Sequence, residues 1–214
     1  MKIKDLIAKR GITEVVHFTS HLGLTGVLAT KALKCKDQLK KEQYLAHILK
    51  INTQKELDPG WSGHVHLSLT RINSWLFGIS SGNWHKDVGW RILAFDPEIM
   101  THPDVHFVTT NNAYWQHHKR GKGSAALEEL FADTVNGRYG VAQKRSKKQA
   151  LNLTTCEQAE VLYPGSVSTD FLRRIYVKTA DDENEVAAQL YATGFTKIEV
   201  VADPKKFVGL DADE

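Results

Sequence analysis

Seven short runs of β-branched and aromatic residues are spread along the chain, and they constrain its fold more than any other feature. Such runs predict strands, and four segments with helical spacing lie between them. The predicted strands are residues 14–18, 64–70, 90–95, 105–109, 158–163, 174–177 and 197–201, and the predicted helices are residues 22–29, 37–49, 124–135 and 183–193. Strands concentrated in pairs among helices indicate an α+β fold with a central, mostly antiparallel sheet.

The chain has 214 residues, of which 42% are hydrophobic and 25% are charged, and these values are typical of a globular protein with its own core. No Pro/Gly/Ser-rich hinge divides it, so we expect residues 1–214 to form a single domain. Two cysteines, Cys35 and Cys156, are too few for a disulfide framework and indicate a reducing cytoplasm. No apolar run is long enough to span a membrane, and the polar start does not resemble a signal peptide.

The charge is distributed unevenly, although the net charge is only +3. Residues 114–148 hold eight Lys and Arg against three acids, whereas residues 181–214 hold three against nine. Aromatic rings interleave with the cations of the basic segment, which is the usual composition of a groove for single-stranded nucleic acid. The alternative is a solubilising face. The predicted nucleic-acid contacts are Tyr114, Trp115, Lys119, Arg120, Lys144, Arg145, Lys147 and Lys148.

Several familiar kinds of catalytic site are excluded by spacing. The ten histidines include no HExxH motif and no Cys/His pattern with ligand spacing, so we expect no metal site. There is no Gly-x-Ser-x-Gly elbow, and neither cysteine has a catalytic signature. The glycines form neither a P-loop nor a dinucleotide-binding turn.

Single polar residues embedded in the predicted strands remain as candidates. Glu160 lies inside an otherwise apolar strand, where a carboxylate is costly unless it faces a cleft or finds donors. His17 and Thr19 bracket Phe18 at the end of the first strand, just before a helix whose N-cap is predicted to be Ser20. Ser68, Thr70 and Arg71 end the second strand, and its alternation places Ser68 and Thr70 on one face.

Four segments that carry these residues follow one another in a recognisable order. Residues 16–33 begin Val-His-Phe-Thr-Ser, residues 67–76 contain Thr-Arg, and residues 107–113 read Phe-Val-Thr-Thr-Asn-Asn-Ala. Residues 158–167 begin Gln-Ala-Glu-Val-Leu. Together these segments resemble the DarT family, ADP-ribosyltransferase toxins that use NAD to modify bases of single-stranded DNA. The second segment lacks the Pro-Arg-Ser-Pro pattern of many members, which leaves the DNA target open.

The resemblance implies an ADP-ribosyltransferase-like fold with a split sheet, NAD as co-substrate and a DarG-like macrodomain antitoxin as partner. It makes Glu160 the catalytic residue. Its carboxylate would accept a hydrogen bond from the ribose as positive charge develops during loss of nicotinamide, and would help to remove a proton from the base.

Arg71 would then pair with the pyrophosphate or polarise the target base, a role for which Lys50 and Lys55 compete. The expected NAD contacts are His17, Phe18, Thr19, Ser68 and Thr70.

Two other functions stay open from the sequence. A protein of the same fold would modify RNA or protein, because a basic aromatic segment does not distinguish DNA from RNA. A catalytically silent module would only bind nucleic acid. The sequence also leaves open whether thymine or guanine is the acceptor.

Overall fold

The computed structural model describes residues 1–41 and 60–208, and an eight-stranded sheet forms the centre of that part of the chain. The strands are β1 (Val15–Ser20), β2 (Ala32–Lys34), β3 (His64–Leu69), β4 (Trp90–Phe95), β5 (His106–Val108), β6 (Arg120–Lys122), β7 (Thr134–Asn136), β8 (Ala142–Lys144), β9 (Glu160–Pro164), β10 (Ser166–Ser168), β11 (Leu172–Val177) and β12 (Glu199–Ala202). The sheet order is β12-β11-β4-β1-β3-β9-β5-β6, and only β11 and β12 run parallel. The predicted α+β fold with a mostly antiparallel sheet is confirmed.

The helices flank this sheet. They are α1 (Ile3–Arg10), α2 (His21–Thr30), α3 (Lys36–Leu39), α4 (Ser74–Ile79), α5 (Gly123–Glu129) and α6 (Ala180–Ala192). Two small two-stranded sheets complete the described part, one from β2 with β10 and one from the hairpin of β7 and β8. None of the helices in the described ranges is long and apolar enough to cross a membrane.

Side chains alternate across the sheet and divide the core into two clusters. On one face, Val15 and Val161 pack in the larger cluster with apolar residues of α1, α2, α5 and α6. On the other face, Val16 and Ile92 pack in a smaller cluster with Phe77 of α4. The strand register places Glu160 on this second face, which carries the smaller cluster.

The sheet splits between β1 and β3. β1 pairs with β4 along its whole length, but it pairs with β3 only through Val15 opposite Leu69 and Val16 opposite Ser68. From His17 onward the two strands have no shared ladder, while β3 continues to pair with β9. This opening creates a cleft in the middle of the sheet, as the resemblance implied.

A buried arginine joins the acidic C-terminal region to the sheet. Arg91 of β4 is only 2% exposed, and its guanidinium forms ion pairs with Asp182 at 2.9 Å and Glu185 at 3.3 Å. Both acids lie on α6, whose first turn is N-capped by the Thr179 hydroxyl. Part of the negative charge in residues 181–214 therefore attaches this helix to the sheet.

The predicted helix over residues 124–135 is wrong at its C-terminal end. α5 ends at Glu129, and Val135 belongs to β7 instead. The Thr155 N–H binds the Leu130 carbonyl at 2.9 Å, which takes up a helix-terminal acceptor. Val135 is β-branched, and pairing with β8 buries its side chain.

Several short elements were not predicted: the helices α1 and α4, the strand β6, and the strands of the two small sheets, β2, β7, β8 and β10. Their strands are three residues long and their helices have eight residues or fewer, so their periodic patterns are weak. The predicted helix over residues 37–49 begins as α3, and its residues after 41 lie outside the described residues.

Candidate active site

Glu160 is the first residue of β9, and because it is only 8% exposed its carboxylate is largely buried. Its Oε2 atom accepts two hydrogen bonds, from the backbone N–H of Asn112 at 3.1 Å and from Nδ1 of His66 at 3.2 Å. These donors satisfy one carboxylate oxygen in a partly desolvated site. Among the described residues no donor binds Oε1, which leaves that oxygen for a ligand in the cleft.

His17 lies where β1 and β3 separate. Its Nδ1 is 2.9 Å from the carbonyl oxygen of His66, and because a carbonyl only accepts, Nδ1 carries the proton. Burial lowers the pKa of His17, an effect that the hydrogen bond to His66 opposes and the nearby His66 charge reinforces. His17 is therefore neutral at pH 7, and its Nε2 is a hydrogen-bond acceptor.

The turn after His17 brings a helix N-terminus to the cleft. The Ser20 hydroxyl accepts the Gly23 N–H at 3.0 Å, so Ser20 is the N-cap of α2, as predicted. A Cβ at position 23 would overlap the Thr19 hydroxyl. Glycine at this position therefore allows the first turn of α2 to pack directly against Thr19.

Phe18 and Ser68 lie on the face of the sheet that carries Glu160. Phe18 packs edge-on against Phe77 at 5.4 Å and Trp90 at 5.8 Å between ring centroids, and it lies half-buried on the smaller core cluster. Ser68 is opposite Val16 on β3, one residue after the Leu67–Val161 pair. The register therefore places Ser68 beside Glu160.

Thr70 and Arg71 follow the end of β3 and do not continue its alternation. Thr70 has a φ of +61°, rare for a β-branched residue, and its hydroxyl donates to the Asn152 carbonyl at 3.1 Å. Thr70 therefore does not share the strand face of Ser68, which departs from the expectation. The Arg71 side chain forms no hydrogen bond or ion pair with any residue in ranges 1–41 and 60–208, whereas its predicted competitors, Lys50 and Lys55, lie outside the described residues.

The aromatic residues of the basic segment gather beside Glu160. Tyr114, Trp115 and Tyr139 line an open pocket of about 220 Å³ with His117. Trp115 is 69% exposed and Tyr139 is 75% exposed. Burial raises the pKa of Tyr114, and the negative charge of Glu160 adds to that rise. The pocket is therefore within electrostatic reach of the carboxylate.

The cations of the basic segment differ in what their side chains contact. Arg120 stacks on Trp61 at 4.2 Å and donates to the Asn112 side chain at 2.7 Å, close to the loop that binds Glu160. Lys119 pairs with Glu129 at the surface. Arg145 donates to two backbone carbonyls and holds the turn at residues 150–153. The remaining predicted contacts, exposed on β8 or the turn after it, are Lys144, Lys147 and Lys148.

Further residues near the site did not figure among the predicted contacts. His66 contacts Glu160, and its place on one strand face with Ser68 was a signal available in the sequence. Arg138 lies over the rings of both Trp75 and Tyr139, at 4.4 and 4.6 Å. No sequence pattern indicates the contact between Arg138 and Trp75, because the two residues are 63 positions apart.

The described residues hold no group of three or more His, Cys, Asp or Glu side chains that would bind a metal ion. The polar side chains at the cleft are instead paired with one another or with the backbone. What the cleft offers to a ligand is a buried carboxylate, a neutral imidazole acceptor and aromatic surfaces. That combination suits a substrate with hydroxyl groups and planar rings.

Comparisons with known proteins agree with this fold. A model of the family described as "ssDNA thymidine ADP-ribosyltransferase, DarT" matches residues 16–208. A comparison with curated proteins gives no match. Solved DarT structures share the fold at low sequence identity.

Thermus sp. 2.9 DarT in complex with carba-NAD⁺ is 16% identical with a TM-score of 0.64, and the match covers 91% of this chain and 97% of that one. The same Thermus protein in complex with ADP-ribosylated ssDNA is 16% identical with a TM-score of 0.60, covering 92% and 97%. Thermosipho africanus DarTG in complex with ADP-ribose is 15% identical with a TM-score of 0.58, covering 91% and 51%. This chain thus spans about half of the Thermosipho protein. Because the family model matches nearly the whole chain, the protein belongs to the DarT family of ssDNA thymidine ADP-ribosyltransferases.

Proposed function

We propose that this protein transfers ADP-ribose from NAD to thymidine in single-stranded DNA, with Glu160 as its catalytic residue. The observation that carries the proposal is the buried Glu160 carboxylate, held through Oε2 at the opening of the split sheet. The solved relatives support it, since one Thermus DarT structure holds carba-NAD⁺ and another holds ADP-ribosylated ssDNA.

The residues at the cleft fit NAD. His17 presents Nε2 as an acceptor for a ribose hydroxyl, and the Thr19 hydroxyl stands at the capped N-terminus of α2, which favours negative charge. Phe18 and the rings packed on it offer an apolar wall for the nicotinamide. We assign Ser68 to the same site and Thr70 to its rim, where its hydroxyl binds Asn152.

Bound NAD supplies the ADP-ribosyl group, whose anomeric carbon loses nicotinamide together with the electron pair of the broken C–N bond. Glu160 accepts a hydrogen bond from the neighbouring ribose hydroxyl, and this bond strengthens as positive charge develops on the sugar. Thymidine has one ring N–H, and its nitrogen forms the new bond with the anomeric carbon. The proton of that N–H moves to Oε1 of Glu160 and then to solvent, so charge and atoms balance.

Arg71 is the cation that we assign to the base or to the pyrophosphate. It follows β3, the strand that lies beside Glu160, and its side chain forms no ion pair within the described ranges. A guanidinium suits either acceptor because its donors are planar and paired.

Replacing Gly23 by Ala tests the NAD contact of Thr19. The new methyl group displaces the Thr19 hydroxyl, so we expect NAD affinity to fall about 10-fold, the effect of one lost hydrogen bond. Titration calorimetry with NAD measures it. Gly78→Ala is the matched control, because a Cβ at position 78 of α4 meets no atom within 4 Å. Equal NAD affinities for both variants would contradict the assignment.

The DNA strand is proposed to follow the exposed aromatic rings towards Glu160. Tyr114, Trp115 and Tyr139 line one pocket, and Arg138 lies over the Tyr139 ring. Rings stack on bases of any sequence, while nearby cations bind the phosphates. A single-stranded base also needs no extraction from a duplex, which saves a few kcal/mol.

Replacing Trp115 or Tyr139 by Ala tests this path. Loss of one stacking ring costs about 1–3 kcal/mol, so we expect the affinity for single-stranded DNA to fall about 5- to 150-fold while NAD affinity is kept. Fluorescence anisotropy with a labelled oligonucleotide measures it. Tyr191→Ala is the control, because Tyr191 is 84% exposed on α6. A similar loss for the control, or none for either ring, would argue against the path.

The biological setting follows from the same relatives. We propose that the chain acts as a toxin and that a DarG-like macrodomain protein is its antitoxin, in line with the DarTG structure from Thermosipho africanus. Residues 1–214 are proposed to act as one ADP-ribosyltransferase domain, since strands from both ends of the described chain join one sheet. A cytoplasmic location is supported by Cys35 and Cys156, which are free buried thiols.

Incubation with labelled NAD and matched oligonucleotides tests the proposed function. We expect label on single-stranded DNA that contains thymidine, little on the duplex, and none on DNA without thymidine. Labelling of RNA of the same sequence at an equal rate would show that the protein is not specific for DNA. Binding of the oligonucleotide without any transfer would make the protein a nucleic-acid-binding module.

A further inference from the structure

We infer that His66 is a positioning residue that orients the Glu160 carboxylate, so that Oε1 faces the reacting groups. The inference rests on the proposed function, and it assigns a role to a side chain that contacts the catalytic residue. Nδ1 of His66 is 3.2 Å from Oε2 of Glu160, across the β3–β9 pair. A carboxylate accepts only, so Nδ1 carries the proton and donates it.

The second donor to Oε2 is of a different kind. It is the backbone N–H of Asn112, which lies in the loop between β5 and β6. A glutamate side chain has three rotatable bonds, and fixing them costs conformational entropy. Two donors on one oxygen offset that cost and keep the other oxygen free, whereas the loop donor alone leaves the carboxylate able to rotate.

The backbone of His66 is itself bound by β1, the strand on the other side of the cleft opening. The His66 carbonyl lies where β1 and β3 no longer share a ladder, and the His17 imidazole donates to it at 2.9 Å. A chain of hydrogen bonds therefore runs from His17 through His66 to Glu160. The proposed NAD contact and the catalytic carboxylate are thus oriented by one residue.

Substitution of His66 is a practicable test because its side chain is 34% exposed and lies outside the apolar core. His66→Phe keeps the ring but removes the donor. His66→Asn keeps a donor at the place of Nδ1 and removes the ring. His64→Phe is the matched control, since His64 lies on the same strand face and packs on Trp61.

We expect His66→Phe to lower kcat about 10- to 100-fold, the value of one hydrogen bond to a charged group, with the NAD Kd unchanged within about 3-fold. His66→Asn restores most of kcat, and His64→Phe resembles the parent protein. If His66 had a purely structural role, His66→Phe would instead lower thermal stability, and His66→Asn would not restore kcat. A parental kcat for His66→Phe, or no rescue by Asn, overturns the inference.

A readout that needs no turnover separates this inference from the proposed function. Nitrogen-15 NMR of the imidazole in the NAD-free protein reports which ring nitrogen is protonated, and we expect a protonated, hydrogen-bonded Nδ1 whose signal moves in Glu160→Gln. An unprotonated Nδ1, or a signal indifferent to that change, overturns the positioning role. If the NMR result holds while the parent protein transfers nothing, the proposed function fails and the contact stands.

Discussion

Glu160→Gln is expected to lower the rate of ADP-ribosyl transfer about 10³-fold while the protein still folds and binds NAD. The substitution keeps the shape of the side chain, but it exchanges one acceptor oxygen for an NH₂ donor and removes the negative charge and the basicity. Both are needed at the same moment, because positive charge develops on the sugar while the base loses its proton. Single-turnover measurements with labelled NAD and single-stranded DNA give the rate directly.

Glu157→Gln is the control for that experiment. Glu157 lies three residues before Glu160, is exposed, and binds the Ser74 hydroxyl at 2.6 Å. Its transfer rate should match that of the parent protein. Comparable rates for the two variants would remove Glu160 from the mechanism.

Arg91→Ala is expected to lower the free energy of unfolding by about 3 kcal/mol, which is a fall of about 10 °C in Tm for a chain of this size. The guanidinium is almost completely buried and forms two ion pairs with α6, so its removal leaves a cavity and unpaired acids. The acids reach solvent, with Asp182 at 25% and Glu185 at 63% side-chain exposure, which places the loss at the lower end of the range for buried pairs. Calorimetry or urea titration measures it.

Arg173→Ala provides the comparison, because Arg173 forms its ion pair with Asp96 at the surface. Such a pair contributes less than about 1 kcal/mol. We therefore expect a Tm close to that of the parent protein. Equal destabilisation by both variants would show that burial of Arg91 is not what attaches α6 to the sheet.

The central strands were predictable from the sequence because alternation and strand propensity agree there. β4 has the predicted bounds, Trp90–Phe95, and β1, β3 and β9 begin within two residues of prediction. The hairpin of β7 and β8 was missed, since three-residue strands leave no measurable alternation. The helix predicted over residues 124–135 was too long, because the helical spacing of apolar residues continues into β7.

The candidate site was partly predictable as well. Glu160 became a candidate because a carboxylate in an apolar strand is costly without donors, and the family resemblance made it the predicted catalytic residue. His17 became a candidate because it stands at a strand end before a capped helix. The contact between His66 and Glu160 was not predictable, because it joins residues 94 positions apart and depends on the pairing of β3 with β9. The left-handed backbone at Thr70 was also invisible, since threonine has no preference for it.

The most direct test of the central claim is the intact mass of an oligonucleotide that contains one thymidine, after incubation with NAD and the protein. We predict the addition of a single ADP-ribosyl group at that thymidine, no addition to the same strand with the thymidine replaced, and almost none with Glu160→Gln. An unchanged mass, although both NAD and the oligonucleotide bind, would contradict the account, as would equal modification by Glu160→Gln.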